Sequence, residues 1–322
     1  MKKALATVND NIIPIVASSD DNYAYPLGVM FISLLENTRA PERFHLFVID
    51  GGISPQKKQQ LTDSVNQYNS QLTFLNVNSD LYADFPTRAH ISAPAYYRIS
   101  IPELFDTSVE RVIYLDCDLV IKADLQALWQ QTLDGYAVGA VENISSSTYR
   151  ASGLDQQDYF NSGVLLIDLQ RWRQQHIPEK VRTFKLEHPE LICTNDQCAL
   201  NGVFRGDWKR LPLHWNHQSG LFRSSKQVKR LKLHVDFEKS LWSPSIIHYI
   251  GWSKPWLMPC YHPLAGEYRR YRKLSNFIAD HPIESHTDIG ERSRFSLWKK
   301  RMRQLLWQWR YRQHGYEIYS ID

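Results

Sequence analysis

Through the first half of the chain, short apolar runs alternate with segments whose apolar positions recur every three or four residues. The runs read as buried strands and the spaced segments as amphipathic helices, so the alternation predicts βαβ units feeding a largely parallel sheet, an α/β fold. Ile12 to Ala17 reads as a first strand, Tyr25 to Asn37 as a helix, Phe44 to Asp50 as a second strand and Ser54 to Tyr68 as a second helix. Ser54 followed by Pro55 predicts a capped helix start. Leu72 to Val77 reads as a third strand, Ala95 to Leu104 as a helix and Arg111 to Leu115 as a fourth strand. In the less regular second half, Phe160 to Asp168 reads as a buried strand, Asp196 to Phe204 as a helix and Ile246 to Tyr249 as a short strand. Ligands of such sheets bind beyond the carboxyl ends of the strands, which directs attention to the residues just after Leu115.

The pattern changes near residue 270, where Tyr268-Arg-Arg-Tyr-Arg-Lys273 opens a basic, aromatic end. The simplest division is a catalytic domain over residues 12–270 and a tail over 271–322. In the tail, Phe295, Trp298, Met302, Leu305, Leu306 and Trp309 fall on one helical face, flanked by Lys299, Arg303 and Arg310 on one side and Arg294, Arg301 and Arg312 on the other. Charge sharpens the contrast. The chain has 38 Lys and Arg against 34 Asp and Glu, but eight of the basic residues and no acid lie between Arg292 and Arg312, so the body is mildly acidic. A nucleic-acid binder spreads positive charge over a face of its fold, so this localised excess predicts an anionic membrane surface as partner and no nucleic acid. The competing reading is a helix docked on its own domain with a solvated basic rim.

At 322 residues and 43% hydrophobic content the chain can bury a full core, which excludes a disordered or fibrous protein. No apolar run reaches the eighteen or so residues that cross a bilayer. In MKKALATVND, Asn9, Asp10 and the next residue, Asn11, interrupt any signal-peptide core. The four cysteines form no CxxC pair and read as free thiols of a reducing compartment. These features predict a cytoplasmic protein peripherally attached to the inner face of the cell membrane.

Chemistry enters at Arg111-Val-Ile-Tyr-Leu-Asp-Cys-Asp118, where Asp116 and Asp118 stand in an apolar stretch. Two carboxylates there are costly unless a cation neutralises them. Oxygen ligands on a hard ion that also touches phosphates suit Mg²⁺ or Mn²⁺, and a nearby imidazole tilts the choice toward Mn²⁺. Read alone, the string is equally two solvated acids at a strand end. It also resembles the start of a phosphatase with an aspartyl nucleophile, but three strands precede it, and Gly206-Asp207 is not followed by the spaced second acid that such enzymes carry.

Five further segments join it: Ser18-Ser-Asp-Asp-Asn-Tyr23, His90-Ile-Ser-Ala-Pro-Ala-Tyr-Tyr-Arg98, Phe160-Asn-Ser-Gly-Val-Leu-Leu-Ile167, Asn195-Asp-Gln197 and His248-Tyr-Ile-Gly-Trp-Ser-Lys-Pro-Trp256. Together and in this order they resemble the family 8 retaining glycosyltransferases, in particular bacterial lipooligosaccharide and lipopolysaccharide galactosyl- and glucosyltransferases, over about residues 12 to 260. The resemblance implies a Rossmann-like, GT-A-type fold that binds a nucleotide sugar. It implies that Asp20, Asn22 and Tyr23 hold the uridine base, that Asp116, Asp118 and His248 bind the metal, and that Gly251 and Lys254 meet the diphosphate. Arg98, Asn161, Asp196 and Gln197 resemble the donor-sugar contacts, with Gly163 in the same loop. Gln197 takes the place of an amide beneath the reacting anomeric carbon. An amide is a feeble nucleophile, so substitution on the same face, assisted by the leaving phosphate, is the expected route. Where related enzymes often carry an Asp near Asn143, this chain has Val141-Glu142-Asn143, so either Glu142 replaces it or the sugar specificity differs.

The expected activity is retaining transfer of galactose or glucose from a UDP-sugar to a lipid-linked oligosaccharide, with Mn²⁺ or Mg²⁺ as cofactor. The non-enzymatic rival is a lectin-like membrane scaffold on a transferase fold.

Overall fold

The computed structural model describes residues 5–9, 11–83, 85, 94–144, 153–192, 195–222, 226–232, 236–251, 253–275, 284–285 and 294–319. Its main sheet is built from β1 (Ile13–Ser19), β2 (Phe44–Asp50), β3 (Gln71–Leu75), β4 (Arg111–Leu115), β6 (Val138–Glu142), β7 (Phe160–Asp168) and β8 (Lys209–Arg210) in the order β3-β2-β1-β4-β7-β6-β8. The first four of these run parallel, as the alternation predicts, while β7 is antiparallel to both β4 and β6. A smaller sheet joins β5 (Leu119–Ile121), β9 (His217–Gln218) and β10 (Ile246–His248), in the order β5-β10-β9.

Both faces of the main sheet are covered, which is why its strands read as continuous apolar runs. In β1, Ile13, Ile15 and Ala17 pack on one side with Leu27 and Phe31 of α1 (Ala24–Glu36) and Leu61 of α2 (Pro55–Asn66). Val16 points to the other side, among Tyr96, Ile99 and residues of α3 (Ile177–Glu187) and α4 (Asn195–Phe204). Helix α1 is buried nearly all round, because its far side meets a third cluster of Val120, Ile247, Tyr249, Tyr268 and Tyr271. The two tyrosines last named belong to α5 (Ala265–Arg272).

The expected helix over Ala95–Leu104 is a chain of three short turns, Pro94–Tyr97, Arg98–Ser100 and Ile101–Leu104. Pro102 restarts the backbone there, since it lacks an N–H and disfavours helical geometry in the residue before it. Elements with weak periodicity, β5, β6 and α3, are absent from the sequence reading.

The tail contributes α6 (Arg294–Gln313), docked along one side. Gln304 donates to the carbonyls of Cys260 (3.2 Å) and His262 (3.1 Å), Gln308 to that of Pro263 (3.1 Å), and Trp307 to that of Phe222 (3.1 Å). Tyr311 is buried in the third cluster and its hydroxyl lies 3.2 Å from His217 Nε2. None of these four belongs to the apolar stripe read from the sequence. Trp298, Met302, Leu305, Leu306 and Trp309 face outward and are exposed. The side chains of Arg294 and Phe295 lie outside the described residues. No described helix is long and apolar enough to cross a membrane.

The start of α2 corrects the expected cap. The Ser54 hydroxyl makes no cap hydrogen bond to the helix. Asp21 takes over from the β1–α1 loop, accepting from Ser54 N (2.8 Å) and Lys57 Nζ (2.8 Å). Lys57 and the hydrogen bonds from Ser54 hold the Asp21 carboxyl down to about 2. A depressed carboxylate stabilises the fold above its unfolded value and loses that contribution as the pH falls toward its folded value. The ion pair is half exposed, so we expect Asp21→Asn to cost at most about 1 kcal/mol at pH 7. In urea titrations the gap between wild type and variant should narrow as the pH falls below about 4. A gap that persists unchanged to low pH would show that the charge of Asp21 contributes nothing.

Candidate active site

The carboxyl end of β4 leads directly into the acidic pair. Asp116 N donates to Gly163 O of the neighbouring β7 (2.9 Å), and the thiol of Cys117 donates to Ser18 O at the end of β1 (3.2 Å), so the turn is pinned on both sides. His248 ends β10, whose register places it opposite Leu119, immediately after Asp118. A ligand atom from each of Asp116, Asp118 and His248 lies within 4.8 Å of the others. His248 Nε2 is 3.1 Å from Asp118 Oδ1 and 3.9 Å from Asp116 Oδ2. The group predicted from sequence therefore converges.

The three-way cluster depends on a glycine. A Cβ on Gly163 would sit 2.3 Å from His248 Cε1 and 2.7 Å from Asp116 Oδ2. Gly163 lies within strand β7, not in a loop, and its missing side chain leaves the room beneath the cluster. Two carboxylates and an imidazole form a mixed oxygen and nitrogen donor set of the kind that accepts Mn²⁺. By donor chemistry and by room, these residues fit a divalent ion.

Cations compensate the acids on both sides. Lys254 is bonded to Asp118 Oδ2 and donates to Tyr249 O (2.9 Å). Burial pushes the Asp118 carboxyl up, but Lys254 and His248 more than reverse it and hold it well below the usual carboxylate range. Arg98 is fully buried and spans the other side, reaching Asp116 Oδ1 through Nη2 (2.8 Å) and Asp196 Oδ2 through Nε (3.0 Å). It also donates to Ser162 O (2.6 Å) and lies over the ring of Tyr114, whose hydroxyl donates to Asp116 Oδ1 (3.1 Å). Burial pushes the Asp196 carboxyl up to about 6, opposed by Arg98. Arg98 thus holds two carboxylates in place, a role that the sequence reading, which set it on the donor sugar, does not include.

Asn161 and Gln197 meet beside this network. Asn161 Nδ2 donates to Gln197 Oε1 (3.0 Å), which also accepts from Ser162 N (3.2 Å). Both lone pairs of that oxygen are engaged by the protein, so Gln197 presents its amide NH₂, rather than its oxygen, as the group that can reach a ligand.

In the loop after β1, Asp20 Oδ1 accepts from Tyr23 N (3.1 Å) and caps the turn Asp21–Tyr23. Asn22 is exposed. The Tyr23 ring packs edge-on to Trp256 at 5.8 Å, and Lys254 lies over the same Trp256 at 5.6 Å, so the loop after β1 meets the loop after β10. Gly251, with φ +87°, adopts a backbone conformation that favours glycine. Glu142 is directed to Arg230, with which it is ion-paired, so its carboxylate is already engaged by the protein. His90 to Ala93, and Trp252, lie outside the described residues.

The sequence reading missed Asn216, Tyr114 and Ser162. Asn216 is fully buried and lies between His248 Nδ1 (3.0 Å) and Asn161 Oδ1 (2.8 Å). Its signal was an amide within Leu211-Pro-Leu-His-Trp-Asn-His217, an apolar and aromatic stretch where a polar side chain must find partners.

Against known proteins, the chain matches the family model of glycosyl transferase family 8 over residues 14–260. It is 38% identical over 273 residues to General stress protein A of Bacillus subtilis, covering 83% of this chain and 96% of that protein. To a lipopolysaccharide 1,2-glucosyltransferase of Escherichia coli K12 it is 26% identical over 314 residues, covering 95% of this chain and 89% of that protein. The solved structure of the galactosyltransferase LgtC with donor and acceptor sugar analogues superposes with a TM-score of 0.72 at 26% identity, covering 84% of this chain and 98% of the other. The matched span contains the acidic turn, the amide pair and the histidine-lysine loop, and on that evidence the chain belongs to glycosyl transferase family 8.

Proposed function

We propose that this chain transfers a hexose, galactose or glucose, from a UDP-sugar to a lipid-linked oligosaccharide such as the lipopolysaccharide core, with retention of the anomeric configuration. The observation that carries the reading is the convergence of Asp116, Asp118 and His248 at the end of β4 in a family 8 fold. Similarity to a lipopolysaccharide glucosyltransferase and to LgtC supports the choice of sugars and acceptor.

Asp116, Asp118 and His248 would hold Mn²⁺ or Mg²⁺, which supplies charge neutralisation for the departing diphosphate. The remaining work falls to the protein. Asp20, Asn22 and Tyr23 face the uridine base, and Gly251 and Lys254 face the diphosphate, where a lysine acts as a point charge on oxygens that gain negative charge as the bond breaks. Asn161, Gly163, Asp196 and Gln197 surround the sugar, with Arg98 bracing the acids beneath it. Because Gln197 Oε1 is engaged twice by the protein, attack by that oxygen is disfavoured, and same-face substitution with the leaving phosphate accepting the acceptor's proton is the route we favour. A lectin-like scaffold would bind the donor without turning it over. The enzyme is favoured because a buried lysine, two acids and a histidine are costly to maintain for binding only.

At the membrane, the outward face of α6 would insert Trp298, Met302, Leu305, Leu306 and Trp309, with the surrounding Lys and Arg on anionic headgroups, at the inner face of the cell membrane.

Hydrolysis of UDP-galactose and UDP-glucose with Mn²⁺ tests the reading. Asp118→Asn removes charge at nearly constant volume and should lower turnover by about a hundredfold or more. Full activity in excess chelator, or in that variant, would sink the metal reading; absence of any turnover by wild type would favour the scaffold. Gly163→Ala should fold yet bind Mn²⁺ weakly, because its methyl enters the space under His248. For the membrane, the double variant Trp298→Glu, Trp309→Glu changes only outward positions. It should no longer float with phosphatidylglycerol vesicles while keeping turnover on a soluble acceptor. The cationic contribution is on the order of 1 kcal/mol per residue and is screened by salt, so wild-type binding should weaken at high ionic strength without vanishing. Unchanged flotation of the double variant would remove this face from the proposal.

A further inference from the structure

The hydrogen bonds around Asn216 form a chain whose polarity can be read without ambiguity. Backbone N–H groups only donate. Gly163 N donates to Asn161 Oδ1 (3.1 Å) and Ser162 N to Gln197 Oε1 (3.2 Å), and these two contacts fix which end of each amide is oxygen. With Asn161 Oδ1 already turned toward Gly163, the group that Asn216 offers it at 2.8 Å is Nδ2. Asn216 must then present its oxygen to His248 Nδ1 at 3.0 Å. An amide oxygen accepts, so His248 carries a proton on Nδ1, and in the neutral ring this leaves the Nε2 lone pair facing Asp118 and Asp116.

We propose that Asn216 is a positioning residue for the metal site: its side-chain oxygen fixes His248 in the Nδ1–H tautomer, with the Nε2 lone pair aimed at the ion. The inference rests on the metal reading and names a residue that reading lacks. It also joins two parts of the site. The same amide that orients the metal-binding imidazole donates to Asn161, which in turn donates to Gln197, so the ligand of the ion and the amide beside the donor sugar share one hydrogen-bonded line of three side chains, Asn216, Asn161 and Gln197. A hydrogen-bonded line of this kind holds the rotamers of its amides, because turning any one of them leaves a neighbour unpaired. Second-layer partners of metal-binding histidines commonly do this work, and their loss costs about 10–100-fold in metal affinity.

Two measurements test it. The first reads the tautomer in the metal-free protein, at a pH where the ring is neutral, by long-range ¹H–¹⁵N correlation of histidine side chains, with His248→Gln to assign the signal. The proposal requires the proton on Nδ1, and a proton on Nε2 overturns it whether or not the protein binds metal. The second titrates Mn²⁺ by electron paramagnetic resonance. Asn216→Leu should lose about 10–100-fold in Mn²⁺ affinity, whereas Asn216→Asp keeps an acceptor for Nδ1–H and should stay within a few-fold of wild type. In Asn216→Asp the donor to Asn161 is lost, so kcat should fall more than Mn²⁺ affinity does. A folded Asn216→Leu with wild-type affinity overturns the proposal. Should that variant fail to fold, Asn216→Asp decides: a loss of Mn²⁺ affinity as large as that of His248→Gln would sink the idea. Failure of wild type to bind Mn²⁺ would count against the metal reading itself and leaves the tautomer measurement to decide this one.

Discussion

Two carboxylates at the end of an apolar strand are the constraint around which the rest of this molecule is arranged. Buried charge is tolerated only when it is paired and hydrogen-bonded, and here each acid has its own cation: Arg98 for Asp116, Lys254 for Asp118. Those cations come from segments far apart in the chain, one before β4 and one after β10. Removing a partner from a buried pair typically costs about 3–5 kcal/mol, against a total stability of about 5–15 kcal/mol for a domain. The site therefore also ties together segments that lie far apart in the chain. The arrangement of Tyr23, Trp256 and Lys254 is the visible result, the loop after β1 resting against the loop after β10.

The parts legible in the sequence are those where one residue type has one physical reason. Strands β2, β4 and β7 were read at their observed limits, because both of their faces are buried and apolar side chains mark them continuously. Asp116, Asp118 and His248 were legible because two acids in an apolar run need a cation, and the resemblance supplied the histidine. What stayed hidden was hidden for definite reasons. The antiparallel placement of β7 leaves no trace in a buried run, since such a run has the same composition in either direction. The role of Arg98 as a clamp between Asp116 and Asp196 depends on a tertiary meeting of three segments. Asn216 lies in a turn of only a few residues, Leu213–Asn216, where neither helical nor strand periodicity operates.

The C-terminal helix shows a different limit of sequence reading. Periodicity records which residues share a face; it does not say what that face meets. In α6 the side turned to the protein is made of Gln304, Trp307, Gln308 and Tyr311: the two rings pack against Phe222 and Trp242, and Gln304, Trp307 and Gln308 donate hydrogen bonds to backbone carbonyls. The apolar stripe is on the outside. The docked face thus follows the usual pattern of apolar residues turned to the core, and what departs from it is a second apolar stripe left facing outward. Local rules broken in this way are expected at functional surfaces, because a sequence under selection for folding only would have no reason to keep two tryptophans and three aliphatic side chains in water.

The docked side also explains why the outer stripe can stay exposed without loosening the helix. Tyr311 lies against His217 in β9, and β9 pairs in register with β10, placing Gln218 beside His248. The helix is thus fastened to the same small sheet that presents His248, through Trp307, Tyr311 and two glutamines and not through its outward stripe. A change confined to the outward positions leaves that fastening and the β9–β10 register untouched, whereas a change at Tyr311 alters the packing behind His217, one residue from Asn216. The two faces of α6 are therefore physically separable even though both belong to one helix: one fastens it to the domain and the other meets only what lies outside.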